Sequence, residues 1–199
     1  MNQTRRNGQR SIQRQATRLQ LVDAAFRVVA EHGFAGATTA AIAKASGKAH
    51  GTVFVHFRSR EALVEALVQE LGDAISLRLA QTPDELPDVA AVLDAHLAAL
   101  ADHEVLYARL LSEATTLPAA ARARIFALQS GIAFRLRQAY ERQLARGEVR
   151  SLDPILLVNT WIALTNHYLI NRDLFDPAGS VIAARREALK AYLLELIHA

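Results

Sequence analysis

Apolar residues recur every three or four positions along most of this chain, the spacing that gathers them on one face of an α-helix. Leu19, Val22, Phe26 and Val29 form the first stripe. Gly33 is expected to close that helix as a left-handed cap, with Phe34 returning to the core. Leu63, Leu67 and Leu71 mark a longer helix behind Ser59, a residue type that caps by accepting a backbone N–H. The two-proline stretch from Gln81 to Asp88 reads as a linker. Beyond it the spacing predicts helices over Val89 to Ala101 and His103 to Ala114. Pro118 is expected at the first position of a long helix ended by Gly147, and Asp153-Pro154 repeats the start signal. Asp176 to Ser180 separates the last two helices, Pro154 to Asn171 and Ser180 to His198. Thr52-Val53-Phe54-Val55 is the one β-branched, aromatic run, and its helical surroundings override a strand. The expected fold class is all-α.

The stretch from Gly33 to Phe57 carries the most information. Thr38 or Thr39 can cap a short helix whose inner face is Ile42, Ala43 and Ala45, small enough for a partner helix to approach. Gly47 supplies a tight turn, and a second short helix from about Ala49 to Val55 packs Val53 and Phe57 inward. Two short helices about a glycine turn form a helix-turn-helix, whose second helix enters the DNA major groove.

Charge changes the picture in the same direction. The net charge of +3 over 199 residues is uneven: residues 1–60 hold ten Lys and Arg against Asp23 and Glu31, a net of +8, leaving −5 on the other 139. A basic segment on a mildly acidic body suits a phosphate-binding module joined to a separate functional domain. Arg5, Arg6, Arg10 and Arg14 precede the first stripe in a polar arm that either reaches a minor groove or stays solvated.

These residues resemble the DNA-binding domain of the TetR (tetracycline repressor) family. The shared pattern is Gly33-Phe34, Thr38-Thr39, Ile42-Ala43, Gly51-Thr52-Val53-Phe54-Val55-His56-Phe57 and Ser59-Arg60-Glu61-Ala62-Leu63, covering about residues 17–67. Lys48-Ala49 stands where the family usually has an aliphatic residue and a cap, and His50 where it often has Lys, which bears on sequence specificity rather than docking. The resemblance implies a basic arm over 1–16, a three-helix helix-turn-helix domain over 17–62, and a helical-bundle domain for effector binding and dimerisation over 63–199. It implies that Thr39 and Arg60 meet phosphate, that Lys48, His50 and Thr52 reach base edges, and that Gly51 permits close approach. Phe54 and His56 are expected at the sugar-phosphate backbone.

In the body, Gly131 interrupts a helix and can make room for a neighbour or ligand. The effector candidates are His96, His103, Tyr107, Arg109, Glu113, Phe126 and Phe134. The dimer candidates lie on the last two helices: Leu157, Trp161, Leu164, Tyr168, Leu189, Leu193 and Leu196. The expected partners are a double-stranded palindromic operator, a small-molecule effector and a second copy of the chain, with no cofactor.

Catalysis finds no support: there is no Gly-rich phosphate loop, nucleophile elbow or His-Glu-x-x-His helix. With no cysteine, thiol chemistry and thiolate metal sites are excluded. No apolar run reaches membrane length and no signal peptide is legible, so a cytoplasmic protein is expected. Two other readings stay open at this point, a non-specific architectural DNA binder and a helical protein-interaction module.

Overall fold

A computed structural model describes residues 2–81 and 88–198; for residues 2–7 it gives the backbone alone. The expected linker lies mostly outside the described residues, as do the side chains of Arg5 and Arg6. The described elements are helical: α1 (Asn2–Gly36), α2 (Thr39–Ser46), α3 (His50–His56), α4 (Arg60–Ala80), α5 (Val89–Asp102), α6 (Glu104–Ser112), α7 (Ala119–Ala145), α8 (Pro154–Ile170), α9 (Arg172–Phe175) and α10 (Val181–Ile197). A 3₁₀ turn spans Ala114–Thr116. Among the described residues no helix is long and apolar enough to cross a membrane.

The helices start where side-chain oxygens satisfy their first N–H groups. Ser59 Oγ accepts from Ala62 N at 3.1 Å, Asp88 Oδ1 from Ala91 N at 2.7 Å, and Asp153 Oδ1 from Ile155 N at 2.8 Å. Pro118 sits one residue earlier than expected, as the extended residue before α7. Gly147, with φ +71°, follows the end of α7 as anticipated.

α1 and α2 pack together, α3 rests on α2, and α4 runs from this unit into the body, where it packs on α5 and α7. α8 lies against α6, α7 and α10, and α10 also covers α5. The core of the body is built from α4 (Leu67, Leu71, Ile75), α5 (Leu93, Leu97, Leu100) and Trp161 of α8, all essentially inaccessible. Deep burial of such side chains contributes about 1.5–3 kcal/mol each.

Three expectations change. Leu19 is exposed, and the inner face of α1 is instead Leu21, Val22, Ala24, Ala25, Val28 and Val29; two adjacent alanines bring that face close to its neighbours. Residues 2–16, expected as a flexible arm, continue α1, since a packed helix extends outward at little cost once nucleated. Gly33 does not simply end α1: at φ 70° and ψ 177° it kinks the helix, in a region open almost only to glycine, and a further turn follows through Gly36.

Candidate nucleic-acid interface

Thr38, not Thr39, caps α2, its Oγ1 accepting from Ala41 N at 3.1 Å. Ile42 and Ala43 face inward. At the far end Gly47 adopts φ 65°, ψ 19°, and Lys48 N donates back to Ala43 O at 3.2 Å, the paired closure that turns the chain sharply after a helix. The turn sets α3 across α2, with Val53 and Phe57 buried beneath it. Ala49 gives α3 no side-chain cap, leaving the first N–H groups of that helix unoccupied by a side chain.

The outer face of this pair is therefore fixed by what lies beneath it. His50, Gly51, Phe54 and Val55 are exposed, with Lys48, Thr52 and His56 half-buried at its edges. A Cβ at Gly51 would meet nothing within 4 Å, so the glycine there leaves an open, flat patch on the helix. Thr39 Oγ1 and His50 Nε2 lie 3.0 Å apart, and the His50 ring meets Phe54 edge-on at 4.8 Å. Thr39, expected at phosphate, thus also steadies the imidazole. Arg60 is partly committed elsewhere: Nη2 donates to Phe34 O at 3.1 Å, tying the start of α4 to the kinked end of α1.

The cations are not all equally available. Arg18 pairs with Glu70 and lies 5.8 Å above the Phe57 ring, and Arg27 pairs with Asp23, so these hold structure. Arg10, Arg14, Lys44, Lys48 and Arg58 have no carboxylate partner among the described residues and stay available to an anion. Sequence reasoning missed one cluster here. Arg18 over the Phe57 ring sets the outer part of α1 beside the end of α3, where partial burial, then the charges of Arg14 and Arg18, push the His56 imidazole below its ordinary pKa. The continuous helix from Asn2 is what brings them together, and no local motif signals it.

The effector candidates do not converge. Trp161 Nε1 donates to His96 Nδ1 at 2.9 Å within the core, where burial pulls the imidazole down to about 4. Tyr107 is buried against Gln129, its hydroxyl pushed up to about 12 by burial. Phe126 and Phe134, 66% and 61% exposed, stand outside α7 because its inner stripe is Ile125, Ile132 and Leu136. Arg109, His103 and Phe134 line three different clefts, of about 210, 320 and 320 Å³. Gly131 faces open space rather than a close neighbour. Glu113 is not a pocket residue: its carboxylate accepts from Phe34 N and Ala35 N, each at 3.1 Å, clasping the helical turn after the kink.

Of the dimer candidates, Leu157, Trp161, Leu189 and Leu193 are buried within the subunit, and Leu164, Tyr168 and Leu196 half-buried. What faces outward is the next stripe round: Leu156, Asn159, Ala163, His167 and Ile170 on α8, and Ala184, Ala188, Ala191 and Tyr192 on α10.

Comparison with known proteins agrees with this geometry. Residues 21–67 match the family model described as bacterial regulatory proteins, tetR family. The repressor AcnR of Corynebacterium glutamicum is 29% identical over 157 residues, 78% of this chain and 81% of that protein. The helix-turn-helix stretch is thus similar to the DNA-binding part of TetR-family regulators. AcnR of Corynebacterium efficiens is 41% identical over 69 residues, 35% of each chain, so that likeness spans about a third of the relative. The Bacillus subtilis regulator FadR, solved with stearoyl-CoA, has the same fold at a TM-score of 0.68 and 23% identity, over 90% of this chain and 99% of that one. These TetR-family relatives are named regulators, not enzymes. The fold is that of the family, an N-terminal helix-turn-helix domain on a C-terminal helical domain.

Proposed function

We propose that this protein is a ligand-responsive transcriptional repressor of the TetR family that binds a palindromic operator as a homodimer in the cytoplasm. The observation that carries the reading is the exposed face of α3, rimmed by Lys48 and the unpaired cations of α1, on a helix held rigidly by Val53, Phe57 and the Gly47 turn. Lys48, His50 and Thr52 read base edges, Gly51 lets the helix approach, and Arg10, Arg14 and Arg58 meet phosphates. The division into arm, DNA-binding domain over 17–62 and body over 63–199 follows, with α4 crossing the last boundary.

A second copy is needed because one short helix reads few bases, whereas two helices about a twofold axis read two half-sites. The outward stripes of α8 and α10 supply the face: three alanines on α10 permit close helix approach, and Leu156, Ile170 and Tyr192 add apolar area.

Regulation requires an effector that favours one of two spacings of the recognition helices. α6 is placed to transmit it. Glu113 at its far end holds the end of α1, while Glu104 at its start accepts from Val181 N and Ile182 N, at 3.0 and 3.2 Å, at the head of α10. A displacement of α6 or α4 thus moves the DNA-binding domain relative to the dimer helices. The experiment is to recover genomic DNA enriched by the purified protein, define the shared palindrome, and measure its affinity against scrambled DNA. A preference for the palindrome supports the reading, and none overturns it.

A further inference from the structure

The cleft lined by Arg109 sits at the junction between the two domains. Ala30 of α1 forms one wall, Ala108, Arg109 and Ser112 of α6 another, and Ile170 and Arg172 close it from α8 and α9. Its two arginines differ. Arg172 is committed: Nε donates to the buried Glu104 at 3.2 Å, Nη2 to Gly179 O at 3.1 Å, and Asp173 lies 3.6 Å from Nη1. Arg109, exposed at the mouth of the cleft, makes no side-chain hydrogen bond or ion pair with any described residue; the lining carboxylate, Asp173, lies beside Arg172 instead. In the cleft where α5 meets α10 the arginines are paired instead, Arg78 with Asp102 and Arg186 with Asp94.

We infer that this junction cleft binds a small anion, a carboxylate or phosphate, through Arg109. A guanidinium presents a planar fork that matches either group with two parallel hydrogen bonds. The volume, about 210 Å³, suits a small acid and not a long acyl chain. Val105 and Ile170 offer the occupant an apolar side. Because Ala30 lies three residues before the Gly33 kink, the occupant touches the DNA-binding domain and the body at once. The inference deepens the regulatory reading above, on which it rests for its meaning, by naming the chemical class of effector.

The test is thermal shift and calorimetry on the full-length protein with inorganic phosphate, succinate and the neutral succinamide, at millimolar concentration and constant ionic strength. Phosphate or succinate is expected to raise the melting temperature and succinamide to leave it unchanged. Arg109→Gln should weaken binding of the responding anion by about tenfold or more, and Arg109→Lys by less. Arg124→Gln, an exposed arginine lining a different cleft between α4 and α7, should keep the wild-type response. The inference fails if neither anion stabilises the wild type, if succinamide does so equally, or if Arg109→Gln responds like the wild type. DNA binding by wild-type protein without anion is scored separately, so loss of operator recognition counts against the regulator and not against the anion site.

Discussion

Glu113 and Gly33 are fitted to each other across the domain boundary: a Cβ on Gly33 would lie 2.3 Å from Glu113 Oε1. The carboxylate occupies the space the glycine leaves, and accepts the two N–H groups that follow. Gly33→Ala is therefore expected to cost more than its backbone strain of about 1–3 kcal/mol, because the carboxylate must also withdraw. Glu113→Ala should cost about 1–3 kcal/mol through the two unpaired N–H groups. In the double variant the penalties should not add, since the clash is gone. A double-mutant cycle from urea melts checks this, and simple additivity would show the contact to be energetically idle.

Lys48 tests the DNA face. Lys48→Ala should weaken operator binding and lower the slope of log affinity against log salt by about one if the amine meets phosphate, whereas a base-edge contact costs about 1–3 kcal/mol on the cognate sequence alone. Titrations on cognate and scrambled DNA at several salt concentrations separate the two. Unchanged affinity for both would remove Lys48 from the interface.

Acid should unfold this protein through its buried histidine. His96 binds a proton near pH 6.5 when unfolded but only near pH 4 when folded. The unfolded state thus holds more protons between those values, so stability is full above about pH 6.5 and falls as the pH drops to about 4, by a few kcal/mol at most. His96→Gln should flatten that slope, at a cost at neutral pH if the Trp161 N–H loses its acceptor. Denaturant midpoints from pH 7.5 to 4 measure it, and an unaltered slope in the variant would assign the effect to other groups.

The two faces of α10 should respond differently. Ala188→Glu, on the outward stripe, is expected to yield a folded monomer of near wild-type melting temperature with weakened operator binding. Leu189→Ala, one residue on and buried, should cost about 2–5 kcal/mol of stability instead. Light scattering after gel filtration distinguishes them, and a dimer that survives Ala188→Glu would place the interface elsewhere.

Helix starts and the DNA-reading pair were legible because each depends on residues a few positions apart: Ser59 with Ala62, Thr38 with Ala41, Gly47 with Ala43. What escaped depends on contacts between distant segments. Leu157 and Leu189 form apolar stripes that look alike whether they face a second copy or their own core, and only packing against α5, α7 and each other's helix decides it. Glu113 reads as an effector candidate in the sequence, and only the fold brings it 79 residues back to Phe34. Periodicity identifies a face, but not its neighbour.

The central claim is that α3 reads a specific operator. Its most direct measurement is the ratio of affinities for the genome-derived palindrome and for scrambled DNA of equal length and charge, at one fixed salt near physiological strength. A ratio of about 10³ or more is expected, collapsing toward one when Lys48 and Thr52 are both replaced by alanine. A wild-type ratio near one would contradict the claim and leave a protein that holds DNA by its phosphates alone.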